Sequence, residues 1–385
     1  MRFGLSTIGF VAGKSGGIET YFRNLLEWLQ LIDAESSYYL LCDKKNAGEF
    51  PLFNPHFTLK SYNYAKPSLK WLMRGVLRNL FNVDTLVNDL NRLDLDVIHH
   101  PFTVLRPAGL DTPSVLTFWD MQHEFYPDFF PAGELKRRKA LYKPSAEKAT
   151  RIIVSSEFTR RTLVERYGIK SDKIDMIYTG YGSEYRPIAD DSALAAKRTK
   201  YELNKPFLFY PAATWAHKNH KRLLAALRLL CDRYNFNGQL VLTGVEIRTS
   251  NELIKDITGA GLTDRVKVLG YLPYGDLPFL YNLATLLVFP SLFEGFGIPL
   301  VEAMACGCPV VCSNATSLPE VIGEAGEMFD PDSPEDIAGK IWTVWNDPER
   351  QRQMKELGLT RVKLFNWKET ALKTVAVYKK AAEGS

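Results

Sequence analysis

The stretch from Leu286 to Glu320 has the sequence LLVFPSLFEGFGIPLVEAMACGCPVVCSNATSLPE. An apolar run typical of a buried strand leads into a glycine-rich turn, a short helical pattern and a second apolar run. Gly295 and Gly297 let a ligand approach the backbone closely, and Pro299 suits the first turn of a helix. This order predicts a parallel α/β unit whose turn lies at the carboxyl end of the sheet, where open α/β sheets bind ligands.

Two carboxylates flank this turn. Glu294 precedes the helix and Glu302 lies in its first turns, with seven residues between them. A helix N-terminus presents unpaired N–H groups and about half a positive charge, which favours binding of a diphosphate. Because a carboxylate accepts several hydrogen bonds, one glutamate can hold a ribose and the other a transferred sugar. The alternative for Glu302 is an acidic residue that only stabilises the helix N-terminus.

The alternation of strands and helices extends in both directions from this stretch. The chain has 385 residues, which at about 100–200 residues per domain predicts two domains. Including the two strands of that stretch, strands are predicted at 3–8, 38–42, 96–99, 114–118, 151–154, 207–210, 239–243, 266–269, 286–290 and 310–313. Helices are predicted at 19–31, 157–167, 220–233 and 298–305. This alternation is typical of parallel sheets covered by helices on both faces.

The strand–helix pattern runs twice, which sets the predicted domain boundaries. The first domain is expected at 1–187, followed by a polar hinge at 188–204 and a second domain at 205–365. The C-terminal segment 366–385 is an amphipathic helix, which needs a surface to cover. We expect it to return to the first domain.

Composition narrows the function classes. The net charge of +4 argues against nucleic acid as the main partner. Five cysteines make no disulfide framework and fit a reducing compartment, so Cys306, Cys308 and Cys312 are predicted to be buried thiols rather than metal ligands. The polar N-terminus and the lack of an apolar run of about 18–20 residues predict a cytoplasmic protein.

The two glutamates carry a family resemblance. Their spacing resembles the signature of retaining GT-B glycosyltransferases, and the segments ACGCPVVCSN at 305–314 and SLPEV at 317–321 resemble family 4. The resemblance implies two Rossmann-like domains that face an interdomain cleft. It also implies that a hexose passes from a nucleotide sugar to a hydroxyl of a saccharide or lipid-linked saccharide, with retention at the anomeric carbon. Mannose from GDP-mannose, in polysaccharide or lipopolysaccharide biosynthesis, is the first expectation, and a UDP-sugar is the next.

The resemblance assigns roles in the second domain. Lys218 lies between a strand and a helix, where it is expected to stabilise the departing diphosphate as a point charge while Glu294 holds the sugar. The alternative is a solvated lysine at a helix start. Many relatives carry an arginine where this chain has Ala213, so Lys221 or Arg222 would have to supply the second cation. The expected donor-binding residues are Glu302, Gly295, Phe296, Gly297, Ile298, Gly16 and Gly17.

Gly16 and Gly17 belong to the segment GKSGGIE at 13–19, which precedes a helix in the first domain. Glycines before a helix allow backbone contact with phosphate, although the order of residues is not that of a P-loop. The resemblance implies that this loop reaches the donor and the acceptor, with Glu19 on the acceptor side.

The acceptor side is expected to include Asp120 and His123, which follow another strand. Many relatives carry a histidine at Trp119, directly before the aspartate, and His123 lies four positions further on. We predict that His123 contacts a sugar hydroxyl or accepts a proton. The alternative is a structural histidine.

In the stretch from Lys66 to Phe81, a basic residue recurs at every fourth position beside an apolar stripe. A basic amphipathic helix of this kind can lie on an anionic membrane, here beside a lipid-linked acceptor at the inner membrane face. The alternative is a helix that packs on the core and turns its basic face to water.

No metal or other cofactor is expected. The Asp94–Asp96 and Asp330–Asp332 pairs have the Asp-x-Asp spacing of a divalent-metal site, but they lie before a strand and in a proline turn. Lys218 and the helix N-terminus are predicted to replace a cation.

Three other functions stay open on the same residues. A nucleotide-sugar isomerase on this scaffold needs no acceptor. A dinucleotide-dependent oxidoreductase requires Gly-x-Gly-x-x-Gly, and its third glycine is Leu300 here. A non-catalytic sugar-binding protein accommodates the departures at Ala213 and Trp119.

Overall fold

The structure is a computed structural model that describes residues 1–11, 16–64, 68–81, 83–244 and 251–384. The side chains of residues 69, 71, 78 and 79 lie outside this description. The chain divides into two compact units. Met1–Gly180 with Asn366–Ser385 forms the first unit, and Tyr181–Phe365 forms the second.

In the described part of the first unit, seven parallel strands form one sheet in the order β3-β2-β1-β4-β5-β6-β7. The strands are β1 Arg2–Ser6, β2 Ser37–Asp43, β3 Phe57–Tyr62, β4 Val97–His100, β5 Ser114–Thr117, β6 Arg151–Val154 and β7 Ile174–Met176. The helices are α1 Gly16–Ile32, α2 Leu69–Phe81, α3 Thr85–Asn91, α4 Gln122–Phe125, α5 Ala132–Lys148, α6 Glu157–Tyr167 and, at the C-terminus, α15 Trp367–Glu383. The inner strands β4 and β5 are buried along their whole length, as expected for a parallel sheet covered on both faces.

Helix α15 closes the first unit. Its predicted apolar face packs on the sheet, with Ala371 and Tyr378 fully buried. The hydroxyl of Tyr378 lies 2.7 Å from Nδ1 of His99 on β4, and its ring packs against Phe3 on β1. The C-terminal helix is therefore part of the core of the first unit.

In the described part of the second unit, six parallel strands form a sheet in the order β10-β9-β8-β11-β12-β13. The strands are β8 Phe207–Pro211, β9 Gln239–Thr243, β10 Val266–Val268, β11 Leu286–Phe289, β12 Val310–Ser313 and β13 Gly326–Phe329. The helices are α7 Asp191–Lys200, α8 His220–Arg233, α9 Asn251–Gly259, α10 Leu277–Leu283, α11 Ile298–Ala305, α12 Leu318–Ile322, α13 Pro334–Trp345 and α14 Pro348–Arg361.

The polar segment 188–204, predicted as a hinge, lies inside the second unit, whose boundary falls at 180/181. Most of it forms helix α7. The carboxylate of Asp276 pairs with Lys197 and with Lys200, at 2.6 Å from the latter, and also accepts a hydrogen bond from Tyr201. Lys197 and Lys200 of this polar segment are thus bound to one acidic partner within the second unit.

Each sheet reverses its strand order beside its first strand. In the first unit the reversal lies between β1 and β4, and in the second between β8 and β11. The crevice at the carboxyl ends of such a strand pair is the preferred ligand site of open α/β sheets. The two reversals therefore mark one candidate site in each unit.

Among the described residues, no helix combines the length and the apolar character needed to cross a bilayer.

Candidate active site

An ion pair lies at the strand-order reversal of the second unit. Lys218 follows β8 and Glu294 follows β11, and the Nζ of Lys218 lies 2.6 Å from Oε1 of Glu294. The two side chains are only 17% and 15% exposed. The ammonium also lies 5.4 Å from the centre of the Phe289 ring, which adds a cation–π contact. Two of the three residues expected to act in catalysis, which also include His123, are thus brought into direct contact.

The backbone around Lys218 is fixed by buried polar side chains. The hydroxyl of Tyr210 donates to the carbonyl of Lys218 at 2.7 Å. Asn219 adopts a positive φ of 60°, which asparagine tolerates better than most residues. Its amide group donates to the carbonyls of Pro290 and Pro331 at 3.0 and 2.8 Å. Asn219 therefore ties the Lys218 turn to the segments that follow β11 and β13.

The Glu294 turn is held by two hydroxyl side chains that follow β12. The N–H of Glu294 donates to Oγ1 of Thr316 at 3.1 Å. The hydroxyl of Ser317 lies 3.0 and 3.1 Å from the carbonyls of Glu294 and Phe296. The sequence Ser-x-x-Glu at 317–320 suggests a helix capping box, but that interpretation is wrong, because Ser317 makes no capping hydrogen bond and bonds to the turn instead.

Gly297 ends the turn and begins α11. Its φ of 101° lies in the region that favours glycine, and a Cβ atom here would come within 2.7 Å of Leu318. Gly297 is the N-cap of α11 and has no side chain that could bond to the first N–H groups of the helix, and Pro299 lies in the first turn. Pro299 has no N–H, and the N–H of Leu300 donates to the carbonyl of Gly297 at 3.0 Å, so the N–H of Ile298 is the first-turn donor that can serve an anion.

The other predicted donor residues of the turn differ in their surroundings. Phe296 is 5% exposed, and its ring packs edge-on against Phe365 at 5.7 Å between centroids. Gly295 and Ile298 are half-buried. Phe296 therefore contributes to the core that supports the turn.

Glu294 is an ionised carboxylate in this site. Burial favours its neutral form, but the ammonium of Lys218 outweighs this effect and keeps the pKa of Glu294 below its usual value. The carboxylate of Glu294 is therefore a hydrogen-bond acceptor at neutral pH.

Glu302 has different surroundings. Its Oε2 accepts a hydrogen bond from the hydroxyl of Tyr281 at 2.8 Å, and the buried hydroxyl of Tyr185 is a second neighbour. Burial raises the pKa of Glu302 to about 7, and the neighbouring hydroxyls only partly offset this effect. The two glutamates of the signature thus have pKa values shifted in opposite directions.

The residues considered as substitutes for an arginine at Ala213 already have partners. Arg222 pairs with Asp332 at 2.9 Å and donates to Asn219 at 3.2 Å. Lys221 is largely exposed, 3.9 Å from Asp256. Neither makes an ion pair with Glu294, so Lys218 is the cation that the structure places beside that carboxylate.

In the first unit, Gly16 and Gly17 are exposed in the first turn of α1. Residues 13–15 of the same glycine-rich segment lie outside the described part of the chain. Glu19 accepts hydrogen bonds from Arg23 at 3.0 and 2.8 Å. The roles of these residues toward donor and acceptor stay predictions.

Asp120 and His123 lie in unlike environments. Oδ1 of Asp120 accepts from the N–H of Gln122 at 3.0 Å, and the residue is partly exposed. His123 is fully buried, 3.1 Å from the hydroxyl of Tyr167 and edge-on to Tyr142. Burial lowers the pKa of His123. These contacts favour the structural alternative, and the catalytic role of His123 stays a prediction.

Trp119 also belongs to the core of the first unit. It is 9% exposed, its Nε1 donates to the carbonyl of Pro101 at 2.8 Å, and it packs edge-on to Tyr21. The side chain at this departure from the family pattern therefore supports the sheet.

The remaining sequence predictions concern thiols and metal. Cys306, Cys308 and Cys312 are free and buried, as predicted. Asp94 pairs with Arg2 at 3.1 Å, and Asp332 with Arg222. Both Asp-x-Asp segments thus contain an aspartate with an arginine partner.

Both halves of the chain match known glycosyltransferase families. Residues 15–184 match the model of Glycosyltransferase Family 4, and residues 193–360 match that of Glycosyl transferases group 1. Together the two matches span most of both units.

Two bacterial relatives and one solved structure extend this result. The chain is 31% identical to O-antigen chain mannosyltransferase B of Escherichia coli over 74% of each chain. It is 34% identical to the serotype-specific mannosyltransferase WbdA of Escherichia coli over 58% of this chain but only 28% of that longer protein. The structure of sucrose-phosphate synthase from Thermosynechococcus elongatus matches over 100% of both chains with a TM-score of 0.75 and 23% identity, which shows the shared fold.

The two family matches and the relative at 31% identity agree with the observed fold of two parallel sheets. This chain belongs to the GT-B glycosyltransferases of family 4, the group 1 glycosyl transferases.

Proposed function

We propose that this glycosyltransferase moves mannose from GDP-mannose to a hydroxyl of a saccharide or lipid-linked saccharide, with retention at the anomeric carbon and without a metal ion. The observation that carries the proposal is the Lys218–Glu294 pair beside the N-terminus of α11. The choice of mannose is supported by the two relatives, both of which are named mannosyltransferases.

In the proposed reaction, Lys218 and the N–H of Ile298 at the start of α11 bind the diphosphate. The bond between the anomeric carbon and the diphosphate oxygen breaks, and its electron pair leaves with GDP. Lys218 has three N–H donors and uses one on Glu294, so two are left for phosphate oxygens. Positioning and fixed charges of this kind stabilise the developing negative charge without a metal.

The two glutamates divide the binding of the donor. Glu294 accepts hydrogen bonds from the transferred sugar and stays oriented by Lys218. Glu302 accepts from ribose hydroxyls, which add to the bond that it already receives from Tyr281. The new bond forms from the acceptor oxygen to the anomeric carbon on the face that the diphosphate leaves, and the proton of the acceptor hydroxyl passes to an oxygen of the departing diphosphate.

The exposed apolar side chains of helix α2 support the proposal of an acceptor at a membrane surface. Leu72, Met73, Val76, Leu80 and Phe81 are between 48% and 71% exposed. The alternative of a helix that packs on the core does not account for these side chains. Lys70 is exposed on the same helix, whereas Lys66 lies outside the described residues. We therefore include peripheral contact with an anionic membrane surface in the proposal.

The test is turnover with a panel of GDP-mannose, UDP-glucose and UDP-galactose in the presence of EDTA, with and without a saccharide acceptor. We expect release of the nucleoside diphosphate only with GDP-mannose and acceptor, no inhibition by EDTA, and an α-linked product by NMR. GDP, UDP and ADP are compared in thermal unfolding, where selective binding raises the apparent stability. A product with inverted anomeric configuration contradicts the proposed retention, and a requirement for metal contradicts the proposed metal-free reaction. Donor conversion without an acceptor indicates an isomerase, and no nucleotide response contradicts the donor site.

A further inference from the structure

A second polar cavity lies at the strand-order reversal of the first unit. It has a volume of about 300 Å³ and is lined by the end of β1 and the residues after it, by the end of β4 and the residues after it, and by helices α1 and α5. Gly9 comes from the first group, His100 and Arg106 from the second, and Arg137 and Tyr142 from α5. The cavity thus occupies the position in the first sheet that the Lys218–Glu294 pair occupies in the second.

The guanidinium of Arg106 is available to a ligand. In the described part of the chain it makes no ion pair and donates no hydrogen bond. A Cβ atom at position 9 would lie 2.9 Å from its Nη1, so Gly9, with its φ of 83°, gives the guanidinium room. Partial burial lowers the pKa of Arg106, and the charge of Arg137 lowers it further. Arg106 and Arg137 therefore both line one cavity and repel each other.

Two carboxylates near the cavity, Glu134 and Asp43, compensate this positive charge only in part. Arg137 is oriented by Glu134, which accepts from its Nε and Nη2 at 2.7 Å each and so leaves Nη1 for another acceptor. Glu134 is shared with Arg138, at 2.9 Å. The carboxylate of Asp43 accepts from the N–H of Gly9 at 2.9 Å. His100 is neutral, because burial lowers its pKa to about 3.

We propose that this cavity binds the phosphate or diphosphate group of the acceptor, with Arg106 and Arg137 as the two cationic ligands. Arginine presents several N–H donors in a fixed plane, which suits phosphate oxygens. Phe10 and Phe102, which stack at 5.4 Å between ring centres, form an apolar wall of the same cavity. That wall fits the sugar or lipid attached to the phosphate. The assignment of the anion to the acceptor rests on the proposed function, whereas the cavity and its two arginines do not.

The test is calorimetric titration of inorganic pyrophosphate into protein saturated with GDP, which occupies the proposed donor site. We expect Arg106→Gln and Arg137→Gln each to weaken pyrophosphate binding at least about tenfold, because each removes a charged hydrogen-bond donor. The matched control is Arg92→Gln, which removes an equal charge from an arginine that is 80% exposed and 3.8 Å from Asp89. This control should change the affinity less than about twofold.

Geranyl diphosphate and mannose 1-phosphate serve as second titrants. Tighter binding of geranyl diphosphate than of pyrophosphate indicates a lipid-linked acceptor. Tighter binding of mannose 1-phosphate than of pyrophosphate indicates a sugar phosphate. Both preferences should disappear in Arg106→Gln, whose GDP-induced thermal shift should match that of the wild-type protein. Unchanged pyrophosphate affinity in both arginine variants overturns the proposal. Loss of the GDP shift in the wild-type protein instead argues against the donor site and leaves the pyrophosphate result interpretable.

Discussion

The ammonium of Lys218 lies 2.6 Å from the carboxylate of Glu294, and both side chains are more than four-fifths buried. One comes from the turn after β8 and the other from the turn after β11, so the contact joins the two strands at which the sheet reverses its order. Within the second unit, each charge is compensated by the other before a donor binds. The pair is thus both a structural contact and the centre of the proposed donor site.

Replacing Lys218 with methionine should lower both stability and turnover. Glu294 would lose its partner in a buried position, which costs about 3 kcal/mol in the free energy of unfolding. Loss of the charge that faces the diphosphate should reduce kcat at least about 100-fold. Urea unfolding at pH 7.5 and initial rates with GDP-mannose measure the two effects.

The double variant Lys218→Met/Glu294→Gln separates these effects. Removing both charges should restore the free energy of unfolding to within about 1 kcal/mol of the wild-type value, because no uncompensated charge is left. Turnover should stay as low as in the single variant. Recovery of turnover together with stability would show that the pair is structural only.

Glu302 should make stability depend on pH. Its folded pKa of about 7 lies above the ordinary 4.5, so the folded protein holds the proton more tightly than the unfolded chain. The favourable contribution of the protonated form is fully present below pH 4.5 and is lost as the pH rises through 7. Glu302→Gln keeps an acceptor for Tyr281 and removes the charge. The free energy of unfolding of the variant, measured relative to that of the wild-type protein, should therefore rise by about 2–3 kcal/mol from pH 5 to pH 8.

Urea unfolding of both proteins at the two pH values measures this difference, and the measurement at pH 5 is the internal control. A gain of the same size at both pH values would mean that the charge of Glu302 is not the cause. In the same variant the KM for the donor should rise, because a carboxylate binds ribose hydroxyls more strongly than an amide does.

Gly297→Ala should destabilise the turn. Alanine at a φ of 101° is strained, and its Cβ would lie 2.7 Å from a methyl carbon of Leu318. We expect a loss of about 1–3 kcal/mol and weaker GDP binding. The matched control is Gly339→Ala in the interior of α13, where an added Cβ meets no atom within 4 Å. That control should gain about 0.5–1 kcal/mol, and a similar result at both positions would contradict the role of Gly297.

The sequence predicted those elements whose apolar pattern is uninterrupted. Strands β6, β9 and β12 and helices α6, α8 and α11 have the predicted bounds. The strands β3, β7 and β13 were not predicted. β3 has no continuous apolar run and its alternation is broken at Lys60 and Ser61, β7 has only three residues, and β13 begins with Gly326. Sheet pairing, rather than local preference, makes these segments strands.

The site was predictable only as far as it lies in one segment. The motif around Glu294 predicted its own turn and helix, and the family resemblance added Lys218. The supporting residues Asn219 and Thr316 are distant in sequence, and their hydrogen bonds to carbonyl and N–H groups of other turns leave no local pattern. Ser317 carried a pattern, but the same hydroxyl can cap a helix or bond to a neighbouring turn, and only the packing of the turns decides between them.

The exposed apolar face of α2 gives the last prediction, for binding to vesicles that contain an anionic phospholipid. Leu72 and Leu80 are 57% and 71% exposed, and transfer of each leucine into the membrane interface should contribute about 1–2 kcal/mol. Leu72→Ser/Leu80→Ser should therefore weaken vesicle co-sedimentation at least about tenfold. The control Leu31→Ser changes a leucine of α1 that is 58% exposed and should leave binding unchanged. Arg74 is a poor test position, because its contacts with Asp84 at 2.6 and 2.7 Å hold the start of α3. Equal binding of the leucine variant and the wild-type protein, at low and at high salt, would show that α2 does not contact the membrane.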